Sequence, residues 1–225
     1  MIRFFDVLLS SIALLILCPM LVPIALVLRF TGEGEVFFVQ ERIGLNERPF
    51  RLLKFATMLK NSPHIGTGTI TLRNDPRVLP VGRVLRMTKF NELPQLLNVL
   101  SGNMSVIGPR PLTKNHFAHY PTELREIVGS VRPGLSGIGS IVFRDEERLL
   151  SAKEDPKYYY QAEIAPYKAS LEAWFVENRG MWLYFKCIVL TLLVVIHPSS
   201  NFVPGVFKGL PQPQGQLKLD LEARS

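Results

Sequence analysis

Cysteine is rare in this chain. Cys18 and Cys187 are the only two, both sit in apolar runs, and their spacing supports neither a disulfide framework nor a CxxC metal site. Buried or lipid-facing thiols in a reducing compartment are the plain reading. Histidine is sparse as well. His64, His116, His119 and His197 are scattered, only His116 and His119 share a helix-face spacing, and no zinc site is expected. There is no internal repeat. Acid is scarce between Arg42 and Lys89, where ten basic residues face two acidic ones, Glu47 and Asp75. That stretch holds more net positive charge than the +7 of the whole chain. Such a patch suits nucleic acid, an anionic leaflet or a phosphorylated substrate, with a solvated or membrane-contact face as the plainer alternative.

The 225 residues are 47% hydrophobic and 20% charged, with mean hydropathy +0.17. That mean is high for a soluble enzyme and low for a multi-span transporter, so one concentrated apolar segment on a polar body is expected. Val7 to Leu28 supplies it, without a single charge, between Arg3 and Asp6 on one side and Arg29 on the other. About 20 apolar residues cross the hydrocarbon core as a helix. The run is too long for a cleaved signal peptide and no small-residue cleavage site follows it. Pro19 and Pro23 lie inside it and predict a sharp kink or break near Cys18-Pro19. Basic residues flank both ends, so the charge asymmetry that would orient a spanning helix is weak. A spanning helix and a re-entrant one both remain open at this point. A second apolar run, Cys187 to Ile196, is too short to span, and Trp174, Trp182 and Tyr184 nearby favour a partly buried or interfacial helix.

Elsewhere, Val36 to Val39 and Phe50 to Phe55 read as strands paired across the Gly44 to Pro49 turn. Val81 to Lys89, Leu93 to Leu100, Pro121 to Val128 and Ala165 to Glu177 read as helices, with Pro94 acceptable in a first turn. Asn61 to Thr69 reads as loop, Gly108-Pro109-Arg110-Pro111 as a rigid turn, and Gly205 to Ser225 as a frayed tail. The expected architecture is a mostly helical α+β domain seated on a membrane.

A series of short motifs then occurs in order: Arg3-Phe4-Phe5-Asp6; Phe37 to Gly44, reading FFVQERIG; Phe50 through Lys54-Phe55 to Thr57-Met58; Asn74 to Val78; and Gly82 to Arg86. These are followed by Asn91-Glu92-Leu93-Pro94-Gln95-Leu96, Gly102 to Ser105, Gly108 to Pro111, and Arg132 to Gly137. In that order and spacing the chain resembles the bacterial sugar transferase family, the monotopic polyprenyl-phosphate phosphoglycosyl transferases, from Phe4 to about Pro198. The resemblance implies a re-entrant membrane helix at 1–30, broken at Cys18-Pro19, and a catalytic domain at 31–204; composition leaves 205–225 as the flexible tail. It also implies interfacial amphipathic helices and an active site facing the cytoplasm at the bacterial inner membrane, with Mg²⁺. The family reaction starts when the Asp of an Asp-Glu pair attacks the β-phosphate of a UDP-sugar. UMP leaves, and polyprenyl phosphate then takes the phosphosugar. Lipids are implied partners, a homodimer is a family analogy, and nucleic acid is not expected.

The resemblance carries Asn91 and Glu92 over as the catalytic pair and Glu92 as the Mg²⁺ ligand. It carries Lys54, Arg77, Arg86, Arg110, Arg144 and Glu172 over as phosphate or nucleotide-sugar contacts. Arg and Lys suit phosphate oxygens, and phosphoryl transfer depends on charge neutralisation more than on acid–base power. For each residue a structural role stands beside the functional one: helix-dipole acid for Glu92, lipid-headgroup contact for Lys54, Arg77 and Arg86, a salt bridge to Asp145 through Glu147 for Arg144.

The chain also departs from the pattern. Asn91 stands where the nucleophilic Asp is usual, Ala56 where Arg is usual, and the stretch Ile138 to Glu147 differs. A carboxamide is a poor nucleophile. Four explanations follow: attack by Glu92 or by an acid among Asp145 to Glu147; direct attack by the lipid phosphate; an engineered Asp-to-Asn change; or a paralogue that binds without catalysis. The departures occur together, which points to a natural subgroup.

Overall fold

The computed structural model describes residues 1–65, 71, 74–144, 146–196 and 206–222. Asp145, His197 and residues 66–69 of the expected loop lie outside the described residues.

Helix α1 (Ile2–Phe30) contains both Pro19 and Pro23. The expected break at Cys18-Pro19 is therefore not found. Each proline forfeits one backbone bond, but their spacing of four places both on one exposed face, where the helix can curve while its Leu, Ile and Ala neighbours keep the remaining ladder. The helix is long and apolar enough to cross a membrane. Phe4, Leu15, Ile16, Val22 and Phe30 are exposed along it.

Both ends of α1 hold to the same body. At the start, Arg3 donates to the carbonyls of Val99 (2.6 Å) and Leu100 (2.9 Å). Asp6 is buried and accepts from Ser105 Oγ (2.8 Å), the Val106 N–H (2.9 Å) and Tyr184 OH (2.9 Å). At the far end Leu28 packs with Phe55 and Leu85, flanked by Leu21, Ile24 and Ala25. No residue from Ser11 to Met20 belongs to a core cluster.

Strands β1 (Phe37–Ile43) and β2 (Pro49–Phe55) form the expected antiparallel hairpin, with Phe38 opposite Lys54. Helix α2 (Pro80–Met87) buries Gly82 and Leu85 and exposes Val84 and Met87. A 3₁₀ turn (Phe90–Glu92) leads into α3 (Gln95–Leu100). Strand β3 (Ser105–Ile107) then pairs in parallel with β4 (Gly134–Ser136), with α4 (Lys114–Phe117) and α5 (Thr122–Gly129) between them. A Cβ on Gly134 would lie 2.1 Å from the Gly108 nitrogen, so only glycine lets the 108–111 turn seat against β4.

The rest is helical: α6 (Ile138–Val142), α7 (Glu146–Ser151), α8 (Pro156–Tyr159), a π turn (Tyr160–Ile164), α9 (Ala165–Glu177), α10 (Met181–Ile196) and α11 (Gly215–Glu222). Ile138, Ile164, Ala169, Leu171 and Cys187 form the dry centre of the main core. Helix α10 buries Leu183, Tyr184, Cys187, Leu190 and Val194 at helical spacing. Trp182, Val189, Leu192 and Ile196 remain exposed, so this helix is apolar on both sides.

Residues 206–222, expected within the frayed tail, are instead packed. Phe207, Leu210 and Leu217 join the main core, and Asp220 accepts from Lys153 Nζ (2.6 Å) and Tyr159 OH. Three well-spaced apolar residues and one paired acid outweighed the Pro, Gln and Gly content that suggested disorder. The fold is mostly helical α+β, as expected.

Candidate functional site

The Asn91-Glu92 pair sits on the 3₁₀ turn after α2. Lys89 enters that turn in the left-handed region, at φ 61°. A non-glycine residue seldom adopts this conformation, and such strain gathers at working sites. The turn aims Glu92 at two cations from distant parts of the chain. Lys54, near the end of β2, places Nζ 2.9 Å from Glu92 Oε1. Arg110, from the 108–111 turn, places Nη2 3.6 Å from the same oxygen. Three elements thus converge on one carboxylate.

The electrostatics follow from this crowding. Burial alone would raise the Glu92 carboxyl, but Lys54 and Arg110, with Lys89 behind them, hold it well below the usual carboxylate range. Burial pushes Lys54 down to about 8; Glu92 opposes that shift, while Arg110 and Arg42 add to it. The two shifts pull the pair in opposite senses, yet at neutral pH both partners stay ionised, because that pH lies below the Lys54 value and above that of Glu92. Arg110 itself is held charged by Glu92 first, then Glu146, Tyr160 and Glu172.

Beneath Arg110 lies a second layer. Glu172, on α9, is 1% exposed, and its Oε1 accepts from the Arg110 N–H at 3.2 Å. Burial pushes its carboxyl up to about 7, against the backbone donors of Arg110 and Gly139 and the charges of Lys168 and Arg110. A Cβ on Gly139 would come within 2.3 Å of Glu172 Oε1, so glycine there lets α6 close on the acid. Lys168 is nearly buried on α9 and donates to Glu146 Oε2 at 2.6 Å. Arg42, on β1, donates to the Pro111 carbonyl (3.2 Å) and to Gln40 Oε1 (2.5 Å) and braces the turn from the other side. The His116 and Tyr160 rings pack nearby, tilted by 41° with centroids 5.0 Å apart. Burial, with Arg42 beside it, pushes the His116 imidazole down to about 4.

Not every expected residue joins this centre. Lys54, Glu92 and Arg110 meet, and Glu172 supports Arg110 from below rather than facing a ligand. Arg77 is a correction: it is 5% exposed, pairs with Asp75 (2.6 Å) and donates to the carbonyls of Ser62 and Ile65. Its guanidinium is spent on Asp75 and on the Ser62 and Ile65 carbonyls, a structural role in place of the expected phosphate contact. Arg86 pairs with Glu147 at 2.5 Å. Arg144, half-buried between α6 and α7, makes no ion pair among the described residues. Of the acids expected to neutralise it, Glu147 is taken by Arg86 and Glu146 by Lys168.

Sequence reasoning overlooked Arg42, Lys89 and Lys168. Arg42 lay in a quoted motif without a role. The others were visible only as surface-type charges, and nothing local announced that Lys168 would be buried.

Asn91 is buried and its Oδ1 has no hydrogen-bond partner. An orphaned oxygen beside an ionised carboxylate suits a hard cation, which takes oxygen ligands. Among the described residues no three His, Cys, Asp or Glu side chains gather as a metal cluster. A Mg²⁺ held here would rest on Glu92 and Asn91, with water and substrate phosphates completing its shell, as is usual for that ion.

The motif order agrees with comparisons of sequence. The profile for "Bacterial sugar transferase" matches residues 1–198. The exopolysaccharide production protein ExoY of Rhizobium meliloti (strain 1021) is 39% identical over 158 residues, covering 64% of this chain and 70% of that protein. ExoY of Sinorhizobium fredii (strain NBRC 101917 / NGR234) is 36% identical over 173 residues, covering 71% and 76%. The UDP-glucose:undecaprenyl-phosphate glucose-1-phosphate transferase of Xanthomonas campestris pv. campestris is 32% identical over 200 residues, covering 88% of this chain but 39% of that longer protein. By its profile match along most of its length, this chain belongs to the bacterial sugar transferase family.

Proposed function

We propose that this protein moves a sugar phosphate from a UDP-sugar to polyprenyl phosphate, undecaprenyl phosphate being the lipid named for its relatives. The products are polyprenyl-diphosphate-sugar and UMP, and the step initiates exopolysaccharide or glycoconjugate assembly. One observation carries the reading: Lys54 and Arg110 converge on Glu92 from separate elements, 2.9 and 3.6 Å from one oxygen. Cations in excess of acid bind diphosphate, and a planar guanidinium grips two phosphate oxygens at once. Lys54 and Arg110 hold the phosphates; Arg42 and Glu172 keep Arg110 in place. Mg²⁺, held by Glu92 with the Asn91 oxygen, would neutralise charge building on the phosphoryl oxygens.

A lipid acceptor requires a site at a bilayer. The apolar outer faces of α1 and α10 support that placement. Because the two ends of α1 rest on one body while its middle joins no core cluster, a re-entrant helix curving at Pro19 and Pro23 fits better than a spanning one. The body then lies on the cytoplasmic face of the inner membrane, with α2 and α10 at the interface.

The decisive experiment supplies undecaprenyl phosphate, Mg²⁺ and a panel of UDP-hexoses and UDP-N-acetylhexosamines, and follows UMP and lipid-linked sugar. Failure to release UMP with any donor would overturn the reading. One observation, the carboxamide at position 91, favours a second reading: a paralogue that holds the lipid phosphate without turnover. It predicts lipid binding that persists while no UMP forms.

A further inference from the structure

The family's expected first step is covalent and needs a carboxylate where this chain has Asn91. We infer that here the sugar phosphate passes in a single in-line displacement from nucleotide to lipid phosphate, with Asn91 serving as a neutral oxygen that positions rather than attacks. The inference rests on the proposed function and specifies its mechanism.

The surroundings of Asn91 argue against its acting as a nucleophile. Attack through Oδ1 would create a cationic phosphorylated imidate. That product would form beside Glu92, whose charge is already shared by Lys54 at 2.9 Å and Arg110 at 3.6 Å, with Lys89 adding its field. A new cation among these cations is disfavoured. Among the described residues, the other acids of the site are committed. Glu92 is tied to Lys54 and Arg110, Glu146 to Lys168 at 2.6 Å, and Glu172 is 1% exposed beneath the Arg110 turn. Burial of this depth keeps a carboxylate from reaching phosphorus.

What the site does offer is an excess of positive charge. Arg42, Lys54, Lys89, Arg110 and Lys168 outnumber Glu92, Glu146 and Glu172 by two, which favours bound phosphate groups. Direct transfer then needs little from the protein beyond alignment. An oxygen of the lipid phosphate bonds to the β-phosphorus as the bond from that phosphorus to the bridging oxygen breaks. The electron pair leaves with UMP. Nucleophile and leaving group are both phosphate oxyanions, so no proton need move. The buried, unpartnered Oδ1 of Asn91 is an acceptor without a donor, the role a ligand to a cation or an orienting carbonyl would fill.

The test uses the full chain in nanodiscs with the UDP-sugar panel, first without and then with undecaprenyl phosphate. Without lipid, the expected result is no UMP burst and no gain of a sugar phosphate in intact-protein mass. With lipid, turnover should give intersecting initial-rate plots and inversion at phosphorus when a P-chiral β-thio donor is used. Asn91→Asp should gain the mass adduct, retention at phosphorus and parallel plots. An adduct on the unaltered chain, at Asp145, His116 or any other residue, or retention at phosphorus, would overturn the inference while leaving the proposed function standing. Absence of UMP under every condition would overturn both. A metal readout is separate: Mn²⁺ binding followed by electron paramagnetic resonance should weaken at least tenfold in Asn91→Leu, and unchanged binding would remove Asn91 from that role.

Discussion

The Tyr184 hydroxyl donates to Asp6 Oδ1 at 2.9 Å across 178 residues of chain, joining the first turns of α1 to α10. Asp6 also takes Ser105 Oγ and the Val106 N–H, so a single buried carboxylate fixes the apolar helix to the parallel strand pair. Removing the hydroxyl in Tyr184→Phe leaves two donors in place and should cost about 1–2 kcal/mol. Asp6→Ala leaves three donors without an acceptor and should cost more, about 3 kcal/mol or above. Thermal unfolding in detergent measures both, and equal effects would contradict the account.

The two arginine environments separate catalysis from folding. Arg110→Lys keeps charge but loses the planar fork, and UMP release should fall by about 10²–10³-fold with little change in melting temperature. Arg77→Lys should do the reverse, lowering the melting temperature by several degrees with a smaller loss of rate in the folded fraction, since its donors serve Asp75, Ser62 and Ile65.

Glu172 sets a pH dependence of stability. Its folded-state value near 7 lies above the ordinary 4.5, so the native protein binds the proton more tightly than the unfolded chain does. The associated stabilisation is complete below about 4.5 and is lost as pH rises through 7. Glu172→Gln removes the titration. The stability of that variant relative to the unaltered chain should therefore improve steadily between pH 5 and 8, as read from denaturant midpoints. A difference independent of pH would show that the acid does not titrate in this window.

Leu217 is 1% exposed in α11, within the segment that follows the family match. Leu217→Ala should cost about 2–5 kcal/mol, the range for a buried leucine. A loss below about 0.5 kcal/mol would mean that α11 is not docked in solution.

The hairpin and the helices of residues 80–100 and 165–177 were readable from period and punctuation because their sequences contain their own start and stop signals. The Asn91-Glu92 pair and Arg110 were readable only through motif order. Their meeting depends on β2, a 3₁₀ turn and the 108–111 loop folding together, and no local pattern encodes that. Pro19 and Pro23 predicted a break because the propensity of each residue was weighed alone, whereas a four-residue spacing keeps both on one exposed face. Arg77 resembled a ligand-binding cation until Asp75, two residues away, was seen to turn back on it.

The clasp formed by Arg3 and Asp6 has a practical consequence. A chain shortened to begin at residue 31 would not be a soluble catalytic body with its anchor removed. It would leave the end of α3 without the guanidinium that covers the Val99 and Leu100 carbonyls, and Ser105, Val106 and Tyr184 facing an emptied acceptor position. In this protein the long apolar helix doubles as an internal brace, and cutting it away and dismantling the fold are the same operation.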